Sequence, residues 1–163
     1  MRLEFGQFII NADPEGTRAY YETDPGITCT CSGCRNYARA AAVFPAELLA
    51  FFHALGIDPQ KPAEVYVNCT QADGRLWYGG FYHLRGRLLQ GEGGWYTVAE
   101  DGTSKTRAWD RESCYLAAEN FRVAFTEDAA LVAPDFPRPV LQLEIDASLP
   151  WLLEEENDNP KME

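Results

Sequence analysis

Apolar positions recur at helical spacing in the first third of the chain and with a period of two after residue 63. At the N-terminus, Leu3, Phe5 and Gln7 fall on one face and Phe8 and Ile10 on the other, which predicts a strand over 3–10. Residues 11–26 are expected to form a loop. Asp13-Pro14 and Asp24-Pro25-Gly26 mark chain reversals there, because proline fixes φ and glycine permits left-handed backbone. Ser32 is the expected N-cap of a helix over 33–42, supported by alanine at 38, 40, 41 and 42. Phe44-Pro45 interrupts it and starts a second helix. There Leu48, Phe51, Phe52 and Leu55 recur at i, i+3, i+4 and i+7, and Gly56 supplies the terminating glycine.

Beyond residue 63 the pattern becomes that of strands. Val65, Val67 and Cys69 alternate with Tyr66, Asn68 and Thr70, and Ala72-Asp73-Gly74 turns the chain into a long strand over 76–84. Gly91, Gly93 and Gly94 lead into a strand over 95–99, and Asp101-Gly102 turns the chain again toward 105–109. Short strands are expected over 113–117, 121–125, 130–133 and 140–145, with Glu127-Asp128 as a hairpin link and an irregular connection through Pro134, Pro137 and Pro139. Close sequential hairpins favour antiparallel pairing, since parallel neighbours need long crossovers. The expected fold is therefore one α+β domain over 1–153, an N-terminal strand and a helical pair packed on a curved antiparallel β-sheet meander. The helices should cover one sheet face. Residues 154–163 read as an acidic, disordered tail.

Composition narrows the function classes. With 163 residues and 46% apolar content, the chain can bury a core without cross-links. No apolar run reaches the roughly 18 residues of a membrane span, and residues 1–8 lack a signal-peptide core. A cytoplasmic, reducing address is expected, where thiols stay free or bind metal and Asn68-Cys69-Thr70 is a chance match to a glycosylation acceptor. The net charge of −11 repels phosphate backbones and acidic lipid, which argues against nucleic-acid and membrane partners. It leaves room for a basic protein partner, of which an acidic inhibitor of a basic toxin is one form. It also serves plain solubility.

Three of the five cysteines lie within six residues, Cys29-Thr30-Cys31-Ser32-Gly33-Cys34, ahead of the first expected helix. Thiolates at this spacing suit zinc, but three ligands fall one short of a closed tetrahedral site. Cys69, His53 and His83 are the candidates for the fourth position. His53 sits opposite the apolar helix stripe, and Cys69 shares a face with Val65 and Val67, as a small buried hydrophobe would. Cys31-Ser32-Gly33-Cys34 at a helix start also fits a redox pair, because the helix dipole lowers a thiol pKa. The βαβ context of a thioredoxin-like site is missing, however. An adventitious or structural cluster, its thiols filling a tight turn between loop and helix, is the favoured reading of the three.

A second group lies on one face of the long strand: Trp77, Phe81, His83, Arg85 and Arg87. Aromatics followed by cations on a sheet face suit a pocket for an acidic or planar ligand. Ordinary packing would place Trp77 and Phe81 beneath the helices with the arginines reaching out to solvent. The familiar nucleophile-elbow, phosphate-loop, dinucleotide and zinc-protease motifs do not occur in the sequence.

Three stretches together resemble a small family of uncharacterised bacterial proteins without known activity: Cys29-x-Cys31-x-x-Cys34-Arg35-Asn36-Tyr37, the run from Leu55-Gly56-Ile57-Asp58-Pro59 to Tyr66, and Tyr78-Gly79-Gly80-Phe81-Tyr82-His83. The resemblance spans residues 29 to 90 and implies a bacterial, cytosolic protein but no catalytic residue. The leading expectation is a non-catalytic interaction or ligand-binding domain. The alternative is a thiol-dependent zinc-binding module, or a thiol redox enzyme, built on Cys29, Cys31 and Cys34.

Overall fold

The computed structural model describes residues 1–92 and 94–162. Gly93 of the glycine turn and Glu163 of the tail lie outside the described residues. Among these residues, nine strands and three α-helices follow in the order β1 (Arg2–Phe5), β2 (Phe8–Ala12), α1 (Pro14–Thr23), α2 (Ser32–Ala41), α3 (Ala46–Leu55), β3 (Glu64–Thr70), β4 (Leu76–Gln90), β5 (Trp95–Glu100), β6 (Lys105–Trp109), β7 (Tyr115–Ala118), β8 (Phe121–Thr126) and β9 (Val140–Leu149), with a short 3-10 turn at Arg111–Ser113. No single helix among the described residues is long and apolar enough to cross a membrane.

The fold is a single α+β domain with an open antiparallel sheet. The long strand β4 is its spine. One edge pairs with β9 from Leu76↔Leu149 to Arg85↔Val140. On the other edge β3 pairs with the first half and β2 with the second. β9 inserts between β4 and β8, so the last strand closes the middle of the sheet, and β1 and β7 form its margins.

Three local expectations change. The N-terminal strand is a hairpin, because Gly6 adopts φ +60° in the two-residue connection between paired Phe5 and Phe8. The expected loop at 11–26 contains α1. Asp13 caps it through a 3.0 Å bond from the Gly16 amide, and Pro14 opens its first turn, so the Asp-Pro pair is a helix start. Residues 130–133 form no strand. Leu131 is left-handed (φ +54°) and exposed, and the β8 edges are taken by β7 and β9.

α1 also completes the sheet. Between the stretches paired with β3 and β2, β4 has an open backbone edge at His83 and Arg85. The Tyr21 hydroxyl donates to the His83 carbonyl at 2.7 Å, Thr17 Oγ1 accepts from the Arg85 amide at 2.9 Å, and the Asp13 amide donates to the Arg85 carbonyl at 2.9 Å. Two side chains of α1 and the backbone amide of its N-cap thus replace a missing strand.

The helices cover the β4 face carrying Tyr78, Tyr82 and Leu84, all fully buried. Phe52 of α3 packs on Tyr82 with ring centres 4.9 Å apart and on Phe121 at 5.9 Å. The opposite face carries Trp77, Phe81 and His83, so these residues lie away from the helices. The hairpin of β5 and β6 stands over that face, where the Trp95 indole donates to Glu144. The chain after Trp151 returns to the end of β3 at Thr70. The Thr70 amide donates to the Pro160 carbonyl, the Met162 amide donates to the Thr70 carbonyl, and Arg35 pairs with Glu155.

Candidate metal centre

The connection after α1 leads through Asp24-Pro25-Gly26 to Cys29, and α2 begins two residues beyond Thr30. The helix cap is Cys31 rather than Ser32. Its Sγ accepts the Cys34 amide at 3.4 Å, the place an N-cap oxygen would occupy. The Cys29 thiol donates to Cys31 Sγ at 3.2 Å, and the three sulfur atoms lie within 4.8 Å of one another. Cys29 and Cys31 are exposed and Cys34 is partly buried.

Sulfurs around a tetrahedral zinc at 2.3 Å sit about 3.8 Å apart. The Cys29–Cys31 contact at 3.2 Å is shorter than this and would open on binding, while the 4.8 Å limit on all three sulfurs is within a small side-chain adjustment of it. The electrostatics favour thiolate at Cys31. Its pKa is lowered, first by the Cys34 amide and then by the Cys29 thiol. Burial pushes the Cys34 thiol up to about 12, with the two neighbouring sulfurs adding to the rise. A cation at the centre of the three sulfurs would reverse that penalty and draw the proton off.

The residues that follow the cysteines hold the cluster in place. Arg35 Nε donates to the Thr30 carbonyl at 3.0 Å, tying the cysteine loop back onto the helix, and its terminal nitrogens pair with Glu155. Asn36 is fully buried. Its amide nitrogen donates to the Tyr78 hydroxyl and the Pro150 carbonyl, and its oxygen accepts the Leu152 amide at 2.7 Å. Tyr37 meets Tyr82 hydroxyl to hydroxyl at 2.5 Å, and Tyr82 donates onward to the Pro59 carbonyl. At the helix start, the Tyr78 hydroxyl donates to the Gly33 carbonyl at 2.7 Å. A Cβ on Gly33 would come within 2.8 Å of Val67 Cγ2, so only glycine lets the first turn of α2 lie this close to β3.

The proposed fourth ligands do not join the cluster. Cys69 is half-buried on β3 opposite Trp77 and lies outside the group of three sulfurs. The His53 backbone carbonyl accepts from Arg18 on the far side of α3, and His83 is buried with its Nε2 3.1 Å from Gln142. Among the described residues, no other set of three histidine, cysteine or acidic side chains converges as these sulfurs do. Cys114 is separate as well, its thiol donating to the Asp110 carbonyl.

The five residues proposed on β4 share a face but not a pocket. Phe81 and His83 have ring centres 5.6 Å apart, and His83 also meets Phe136. Arg85 pairs with Asp13 at 2.6 Å, and Arg87 pairs with Glu127. Trp77 alone opens onto a cavity of about 740 Å³ beneath the β5–β6 hairpin. Its indole donates to Asp146 at 2.5 Å, and Arg111 donates to the other oxygen of that carboxylate at 2.9 Å. Asp146 and Glu144 were not singled out from the sequence. Their signal was present, since Gln142, Glu144, Asp146 and Ser148 alternate with Leu141, Leu143, Ile145, Ala147 and Leu149 along one strand. Compared with protein-family models, curated proteins and solved structures, the chain gives no match.

Proposed function

We propose that the protein is a thiolate metal-binding domain that takes one thiophilic divalent ion, zinc in the first instance, on Cys29, Cys31 and Cys34. The observation that carries this reading is the convergence of three sulfurs within 4.8 Å at the mouth of α2, two of them exposed. Soft thiolate sets favour zinc and copper(I) over magnesium or calcium. Three protein ligands leave the fourth position for water or an incoming donor, the arrangement of an open site rather than a closed structural one. The fold supports this division, because the core beneath α2 is complete without any metal.

The test is elemental analysis of protein purified without chelator. It should find about one zinc per chain, and the Cys31→Ser plus Cys34→Ser variant should carry none. Folded wild-type protein that stays metal-free after incubation with zinc would sink the proposal. A thiol redox role is the second reading, favoured by the exposed Cys31 sulfur at a helix N-cap, 3.2 Å from that of Cys29. It predicts a reversible Cys29–Cys31 or Cys31–Cys34 disulfide in the purified protein. α2 is preceded by α1 and a coil rather than by a strand, which weakens that reading.

A further inference from the structure

Three of the four tryptophans, Trp77, Trp95 and Trp109, line the cavity between the β5–β6 hairpin and the outer face of the sheet. Its volume of about 740 Å³ falls within the range of small-molecule sites. Tyr66 and Tyr96 extend the aromatic wall, and both rings are substantially exposed, as is Trp95. Gly79 contributes no side chain to the floor. A Cβ there would meet the Tyr66 ring at 2.6 Å, so the ring lies flat across the backbone. So much accessible aromatic surface in one concavity is costly to leave in water and is the usual material of a stacking platform.

The polar groups define the ligand. Asp146 is 9% exposed at the base of the cavity, and each of its oxygens accepts one bond, from Trp77 Nε1 and from Arg111 Nε. A carboxylate oxygen has a second lone pair, so both oxygens can accept again. The terminal nitrogens of Arg111 remain as donors beside them. Arg107 stands over the Trp95 ring at 5.2 Å, and Arg111 over the Trp77 ring at 5.5 Å. Among the described residues Arg107 has no carboxylate within ion-pair distance.

A cationic guest is disfavoured, because Arg107 and Arg111, each over one face of an indole, already place two positive charges in the cavity. An anionic guest is disfavoured too, because Asp146 faces it, Asp110 and Glu112 also line the cavity, and the chain carries −11 overall. What remains is a neutral, ring-shaped molecule with an apolar flat side and adjacent hydroxyls. We propose that this cavity is a binding site for a neutral saccharide, stacked on Trp95 and Trp77 and held through vicinal hydroxyls by Asp146 and Arg111. This proposal does not rest on the thiol cluster.

The test is a titration of the intact protein, followed by tryptophan fluorescence, with cellotriose, xylotriose, maltotriose and diacetylchitobiose. Adenosine serves as a planar control and choline as a cationic one. A saturable change with at least one saccharide and none with choline is expected, unaltered after metal is stripped with a chelator. Asp146→Asn should weaken binding about tenfold or more by removing a charge-assisted acceptor. Trp95→Ala and Arg107→Ala, both on the exposed hairpin, should weaken it without changing the far-ultraviolet circular dichroism. Saturation by adenosine with none of the saccharides would overturn the proposal, as would no saturable change with any of them. Undiminished saccharide affinity in folded Asp146→Asn and Trp95→Ala variants would overturn it as well.

Discussion

The two faces of β4 are built from alternate residues of one strand and serve opposite ends. Tyr78, Tyr82 and Leu84 face the helices in a sealed core, where each tyrosine hydroxyl is hydrogen-bonded. Trp77, Phe81 and His83 face the other way, into a polar, partly open layer crossed by the β9 carboxylates. The thiol cluster sits at the rim of the sealed side. It is supported by that core yet contributes little to it, since Cys29 and Cys31 are exposed and no cysteine belongs to the buried core beneath α2. Stability and thiol exposure are therefore separable in this fold. Aromatic packing holds the start of α2, and two of the three cysteines stay exposed beside it.

The sharpest break in this comparison would come from Phe52→Ala. Phe52 is fully buried against Tyr82, Phe44 and Phe121, and its removal should cost about 3–5 kcal/mol in urea unfolding. Tyr78→Phe should come next, at about 1–3 kcal/mol, because it removes a donor from the Gly33 carbonyl and leaves one buried Asn36 donor unpaired. Its second effect would be to loosen the cysteine-bearing end of α2, read as faster amide exchange at Gly33 and Cys34.

The pH response of the outer layer gives a third, smaller effect. Burial lowers the His83 pKa, against a weaker opposing effect of Gln142. The unfolded chain therefore takes up the His83 proton first as pH falls below about 6.5, and stability declines from that point until the folded-state pKa is passed. Urea midpoints at pH 7.5 and 5.5 should differ less in His83→Gln than in wild type. An equal difference in both would remove His83 from the account. The smallest effect should be that of Cys31→Ser with Cys34→Ser on metal-free protein. The change should stay below about 1 kcal/mol, since serine keeps a capping oxygen at position 31. A large loss would make the cysteines part of the core after all.

Much of the fold could be read from periodicity. α3 follows from Leu48, Phe51, Phe52 and Leu55, and β4 from alternation around Trp77 to Leu84. α1 was hidden because Asp13-Pro14 serves turns and helix starts equally well, and only the open edge of β4 decides between them. The hairpin at Gly6 was hidden by apolar residues on both sides of it, which mimic a continuous strand. Of the candidate sites, the cysteine spacing was legible because its ligands are local. The Trp77–Asp146–Arg111 constellation joins three distant segments, and no pattern within one strand reveals which carboxylate will meet which indole.

The central claim is that Cys29, Cys31 and Cys34 together hold one metal ion. Cobalt(II) titration of the reduced, metal-free protein tests it most directly, because sulfur-to-cobalt charge-transfer absorption reports thiolate ligands. Saturation at one equivalent, displacement by zinc, and a weaker band in each of Cys29→Ser, Cys31→Ser and Cys34→Ser are expected, with Cys69→Ser unchanged. A wild-type spectrum without the charge-transfer band, from protein shown to be folded and reduced, would contradict it.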